Sequence, residues 1–258
     1  MSRGRYLYAV TRDLSPDAVV GVTGLGGTPV EVVEHRGLSV LVSSVPLDEY
    51  GEEGLRRNLE DLAWLEATAR GHDEVVRFAA SRGAAAPMRL VTICLDDDGV
   101  RARLDASHDE IVQALDRVEG RVEWSVKAFA PEAASSVSTG GTDRPAAVGA
   151  GGGAAYLRAR KAAVEGRRAQ DEAAMTIADD LHDALSRVAV ASRRLPPQDP
   201  RLSGLDGRMT LNAAYLVDET GAEAFAREVD RLAEEHPEAR VSAGGPWPPY
   251  SFATLEDA

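Results

Sequence analysis

The chain is poor in lysine, aromatic residues and cysteine: only Lys127 and Lys161 are lysines, aromatics make up 5% of 258 residues, and Cys94 is the single cysteine. One cysteine excludes a disulfide framework, and its place in the apolar run Val91-Thr92-Ile93-Cys94-Leu95 reads as a small buried hydrophobe in a reducing compartment. With so little lysine, the formal net charge is −13 and the pI is near 4.9. Such a molecule repels phosphate backbones and anionic bilayers, so neither nucleic acid nor membrane insertion is expected. No apolar run is long enough to span a bilayer, and Met1-Ser2-Arg3-Gly4-Arg5-Tyr6 enters a strand-like stretch without an apolar signal region; a cytoplasmic location is expected.

Motifs for chemistry are scarce as well. The glycines of Gly21-Val22-Thr23-Gly24-Leu25-Gly26-Gly27 are followed by no Lys-Ser or Lys-Thr and match neither phosphate-binding fingerprint. There is no Gly-x-Ser-x-Gly elbow. The histidines His35, His72, His108, His182 and His236 have no metal-ligand spacing among themselves or to Cys94. His72-Asp73-Glu74 and His108-Asp109-Glu110 resemble each other, and both read as acidic first turns complementing the positive end of a helix. No catalytic residue, cofactor site or metal site is therefore expected.

With 44% hydrophobic and 28% charged residues the chain is globular and can support two modest cores. Tyr6 to Val10, Val30 to Glu34 and Leu38 to Val42 read as strands, with His35-Arg36-Gly37 as the hairpin turn between the last two. One helix carries Leu55, Leu59, Leu62 and Leu65, and a second carries Val75, Phe78 and Ala79, ending at Gly83. Met88 to Leu95 reads as a central strand ended by a turn at Asp96-Asp97-Asp98-Gly99, and Ser107 with Glu110 as the capping box of a further helix. In the strand from Val122 to Lys127, Val122, Trp124 and Val126 form the inward face and Glu123, Ser125 and Lys127 the outward one.

The Ala/Ser/Gly-rich stretch 131–153 reads as a flexible linker between a first domain, 1–130, and a second, 154–258, with the strand at 121–129 assignable to either. The second domain reads as a long helix from Ala154 to Ser192, a strand at Leu211 to Val217, a helix with Phe225, Val229 and Leu232 inward after a Thr220/Glu223 capping box, and a short strand from Arg240 to Ala243. That order fits a split βαβ arrangement, so the fold class is α+β.

Two features are candidates for partner binding. The end of the chain, Gly245-Pro246-Trp247-Pro248-Pro249-Tyr250-Ser251-Phe252, suits neither helix nor central strand and must be held by burial of its aromatics. It either closes the protein's own core or anchors a partner through Trp247, Tyr250 and Phe252. Arg158, Arg160, Lys161, Arg167 and Arg168 make a basic stretch on the long helix that is either a solvated face paired with Glu165, Asp171 and Glu172 or a dock for an acidic patch. Arg89 at its strand and Tyr156 on the long helix complete the set of partner-binding candidates.

The blocks Gly4-Arg5-Tyr6-Leu7-Tyr8-Ala9-Val10, Pro87-Met88-Arg89-Leu90-Val91-Thr92, Glu123-Trp124-Ser125-Val126-Lys127, Tyr156-Leu157-Arg158-Ala159-Arg160, Asn212-Ala213-Ala214-Tyr215-Leu216-Val217 and the proline-aromatic tail occur in an order that resembles the gas vesicle protein F/L family over nearly the full length. One departure is visible: Arg89-Leu90-Val91-Thr92 stands where the family has an Arg-Phe-Gly-Thr-like run. The resemblance implies an N-terminal modified ferredoxin-like domain followed by a C-terminal α+β domain with long helices. It also implies an accessory protein of gas vesicle assembly, associated with the vesicle, that partners the hydrophobic shell protein and other accessory proteins. Two other classes compete: a ferredoxin-like ligand-sensing regulatory module, and, more distantly, an enzyme built on Cys94.

Overall fold

The computed structural model describes residues 2–12, 14–130, 152–198 and 207–253. Two compact units are present: Met1–Trp124 with Leu216–Ala222 and Gly245–Ala258, and Ser125–Tyr215 with Glu223–Gly244.

The first sheet contains β1 (Arg3–Arg12), β2 (Val30–His35), β3 (Leu38–Pro46) and β4 (Ala85–Cys94), in the order β2-β3-β1-β4. Its pairings are antiparallel. β1 is central, which explains why Tyr6 to Val10 are buried without alternation. β2 and β3 join through Arg36 and Gly37, both at positive φ (51° and 78°), between the paired residues His35 and Leu38. Two left-handed residues match the twist of a tight hairpin. In place of a helix between β1 and β2 stand short 3-10 turns at Pro16–Val19 and Leu25–Gly27.

Between β3 and β4 lie α1 (Leu47–Tyr50), α2 (Glu52–Asn58) and α3 (Leu62–Ala80). Asp61 starts α3 by accepting from the N–H groups of Ala63 (2.9 Å) and Trp64 (3.3 Å). After β4 come α4 (Asp97–Ala106) and α5 (His108–Val118). Strand order and helix placement are those of a ferredoxin-like split βαβ unit whose first helix is reduced to 3-10 turns.

The second sheet repeats the same order. β5 (Arg121–Ala130), β6 (Ala191–Arg194), β7 (Arg208–Asp218) and β8 (Arg240–Trp247) are arranged β6-β7-β5-β8. The long α6 (Gly152–Val188) stands between β5 and β6, and α7 (Ala222–Glu235) between β7 and β8. Among the described residues of α6 the buried ones lie in its latter part, at Ala178, Leu181, Ala184 and Leu185. Inside the second unit the Tyr215 ring meets Phe225 (5.4 Å between centroids), and its hydroxyl meets His182 Nδ1 at 2.9 Å. A last short helix, α8 (Tyr250–Ala253), ends the described chain.

Several expectations need correction. Leu59 and Leu62 are exposed, and the helix expected through them breaks at Asp61, whose capping carboxylate restarts the chain as α3. β4 lies at the sheet edge, where bulges are tolerated, and Leu95 beyond it is exposed. The acidic run after β4 starts α4: Asp96 caps it by accepting from Gly99 N–H at 2.8 Å. Ser107 precedes α5 but its side chain makes no capping hydrogen bond. His72 lies within α3, ten residues from its start, so it caps nothing. Glu123, expected outward, is buried because a hydrogen-bonded partner reaches it. The proline-aromatic tail is extended as β8 through Trp247 and then turns helical at Tyr250; β8 is an edge strand, where a proline such as Pro246 is tolerated. Most of the expected linker, 131–151, lies outside the described residues.

Candidate functional site

The first unit carries a cleft built around an excursion of β4. Leu7 of β1 pairs with Thr92 and Ala9 pairs with Pro87, so Tyr8 alone stands opposite Met88, Arg89, Leu90 and Val91. Val91 closes the excursion at φ 64°, a left-handed conformation unusual for a β-branched side chain. What offsets this cost is a buried relay. Val91 N–H donates to the Tyr6 hydroxyl (3.1 Å), which is also hydrogen-bonded to His72 Nδ1 (3.0 Å). The Thr92 hydroxyl adds a bond to the Arg89 carbonyl at 2.9 Å.

Burial pushes the His72 pKa down to about 4, against weaker opposing effects of the Met88 backbone and the Asp73 charge. Burial also raises the Tyr6 hydroxyl well above its ordinary value, so it stays protonated. Around the relay, Tyr6, Tyr8, Tyr50 and His72 stack with centroid separations between 4.8 and 6.0 Å.

Held this way, the excursion turns Arg89 and Leu90 to solvent. Together with Ala69, His72, Asp73, Pro87, Met88 and Tyr250 they line a mostly apolar cleft of about 350 Å³. The tail forms its other wall. Tyr250 donates to Asp73 Oδ1 at 3.1 Å, while Asp73 Oδ2 holds Arg77 at 2.7 Å. Arg77 in turn lies 4.8 Å from the centroid of Trp247. Behind the tail, Glu123 accepts from the Ser251 N–H and the Ser251 hydroxyl, both at 2.7 Å, and Arg117 donates to the Phe252 carbonyl at 3.1 Å. Burial raises the Glu123 carboxyl pKa, with the Ser251 bonds opposing. Gly245, at φ 146°, lets the chain pass Trp124: a Cβ there would stand 2.9 Å from the Glu123 carbonyl and 3.0 Å from the indole.

Of the residues singled out from sequence, Arg89 and Tyr250 therefore line one cleft, and Trp247, 39% exposed, sits beside it on Arg77. Phe252 is buried under the tail. Arg158 and Arg160 are exposed on α6, where Lys161 pairs with Glu165 and Arg168 with Glu172; Tyr156 is on the same helix, and its side chain is outside the described residues. Sequence reasoning missed His72 and Asp73 as site residues. A helix-period reading that continued α3 back to Asp61 would have put both mid-helix, one turn from Ala69 on the cleft side. Among the described residues no group of three or more His, Cys, Asp or Glu side chains is placed to hold a metal ion. Cys94 is half-buried, and burial raises its pKa, which disfavours the reactive thiolate.

Two four-stranded sheets of the same strand order, with helices between their strands, define an α+β protein. The profile of the family described as "Gas vesicle synthesis protein GvpL/GvpF" matches residues 4–254. Gas vesicle protein L of Streptomyces sp. (strain CB03234) is 41% identical over 99% of this chain and 94% of its own length. Gas vesicle protein F of the same strain is 29% identical over 96% of this chain and 98% of its own length. The crystal structure of GvpF from Anabaena sp. PCC7120 superposes with a TM-score of 0.70 over 99% of this chain and 98% of that one, at 21% identity, and so shares the fold. The chain belongs to the GvpL/GvpF family of gas vesicle proteins.

Proposed function

We propose that this protein binds the hydrophobic shell subunit of the gas vesicle, keeps it dispersed, and assists nucleation or growth of the wall. The observation that carries this reading is the β4 excursion, which spends backbone strain at Val91 to hold Arg89 and Leu90 outward beside an apolar cleft. Family membership supports it. A wall subunit awaiting polymerisation exposes apolar surface and strand edges, both of which promote aggregation. A partner with a net charge of −13 raises the solubility of any complex it forms. No nucleotide turnover is part of this scheme.

Co-expression with the shell subunit, followed by affinity purification with and without ATP, tests it. Shell subunit that co-purifies equally under both conditions and stays in the supernatant fits the proposal. Absence of association under both conditions overturns it. Strong thermal stabilisation by a metabolite, without shell binding, is the outcome a ligand-sensing module gives instead.

A further inference from the structure

The open edge of the first sheet offers a second site. β2 is an edge strand, paired on one side to β3. Val30 N–H donates away from β3, to the Val22 carbonyl at 3.0 Å. Backbone groups alternate along a strand, so the N–H and C=O groups of Val32 and Glu34 also point away from β3. Val22 and Thr23 cover this edge beside Pro29 and Val30, and then the chain leaves it at Gly21, whose φ is 84°. Beyond that point no described strand continues along Val32 and Glu34.

The uncovered stretch is flanked by an apolar groove of about 440 Å³ lined by Pro16, Val19, Val20, Val22, Val30 and Val32 among others. Val20 is 80% exposed there. Edge strands are normally blunted, because unpaired groups next to apolar side chains recruit other chains. Its carboxylates are Glu31, paired with Arg5 at 2.8 Å, and Glu34, both exposed, while His35 at its end meets Asp105 at 2.8 Å. Pairing two copies of β2 would bring the Glu34 carboxylate of each copy to one ladder, which like-charge repulsion disfavours.

We infer that the β2 edge takes up an extended, apolar segment of a partner polypeptide that carries a basic residue, as an added strand at Val32 and Glu34 with its apolar side chains in the Val20–Val22 groove. Main-chain bonds to Val32 and Glu34 set its register, and Glu34 selects the cation. This deepens the proposed escort role by naming the kind of segment held, and its test uses a synthetic peptide so that its failure is distinct from failure of that role.

The test is titration of the isotope-labelled full chain with acetyl-Lys-Val-Thr-Val-Thr-Val-Lys-amide, followed by amide chemical shifts. Expected are saturable shifts at Val20, Val22, Val32 and Glu34. They vanish in Val32→Pro, which removes an outward N–H without touching the β2–β3 ladder. Val20→Lys, at an exposed position where folding is unaffected, weakens binding and serves should Val32→Pro unfold. Replacing both peptide lysines with glutamate weakens binding at least about threefold. No shifts at the edge, or binding unchanged in the folded variants, overturns the inference.

Discussion

Tyr6 joins strand to helix at a single hydroxyl, accepting from Val91 and hydrogen-bonded to His72 Nδ1. Tyr6→Phe leaves the part-buried Val91 N–H without its acceptor and the buried His72 Nδ1 without its partner, and should cost about 1–3 kcal/mol in urea unfolding. Amide exchange at Val91 should quicken in the same variant. His72 sets a pH dependence whose sign follows from its lowered pKa. The folded protein keeps the ring neutral down to about 4, whereas the unfolded chain takes up a proton near the ordinary 6.5. The stability contribution is therefore present above about 6.5 and lost as pH falls towards about 4, at a slope of up to about 1.4 kcal/mol per pH unit. Urea midpoints at pH 7 and pH 5 should show this loss in the wild type and a smaller one in His72→Gln. A drop of equal size in both would assign the acid sensitivity elsewhere.

At the scale of elements, the tail is the part whose residues divide between packing and exposure. Phe252 is buried and Trp247 is 39% exposed over Arg77. Phe252→Ala should cost about 3–5 kcal/mol, and Trp247→Ala about 1 kcal/mol or less. Gly245→Ala combines positive φ with a contact of 2.9 Å to the Glu123 carbonyl, and should lower the thermal midpoint by more than Trp247→Ala. Near-equal losses for Phe252→Ala and Trp247→Ala would contradict this division. The strands were legible in the sequence where one face is buried: the valines of β2 and the His35-Arg36-Gly37 turn announced the first hairpin. The β4 excursion was not legible, because Met88-Arg89-Leu90-Val91 has no glycine to mark a left-handed residue, and what holds Val91 is a tyrosine distant in sequence. Glu123 misled for a related reason: alternation places it outward, and only the returning Ser251 explains its burial. The aromatic tail signalled burial correctly at Phe252, yet its helical turn at Tyr250–Ala253 follows from bonds to Glu123 and Arg117 that no local pattern encodes.

For the whole molecule, the repeated strand order β2-β3-β1-β4 and β6-β7-β5-β8 shows one architectural plan used twice, with different elaborations. The first sheet carries a strained edge excursion and an open edge strand; the second carries the long α6, exposed from Arg160 through Ala173. Among the described residues no helix is long and apolar enough to cross a membrane. Family membership places the chain with gas vesicle proteins, and the role proposed for it there is one of contact. The most direct measurement is the sedimentation of shell subunit produced with wild-type protein, with an Arg89→Glu/Leu90→Asp variant, or alone. Soluble shell subunit is expected with the wild type, and pelleted shell subunit with the folded double variant and in the protein's absence. Equal solubility of the shell subunit in all three samples would contradict it.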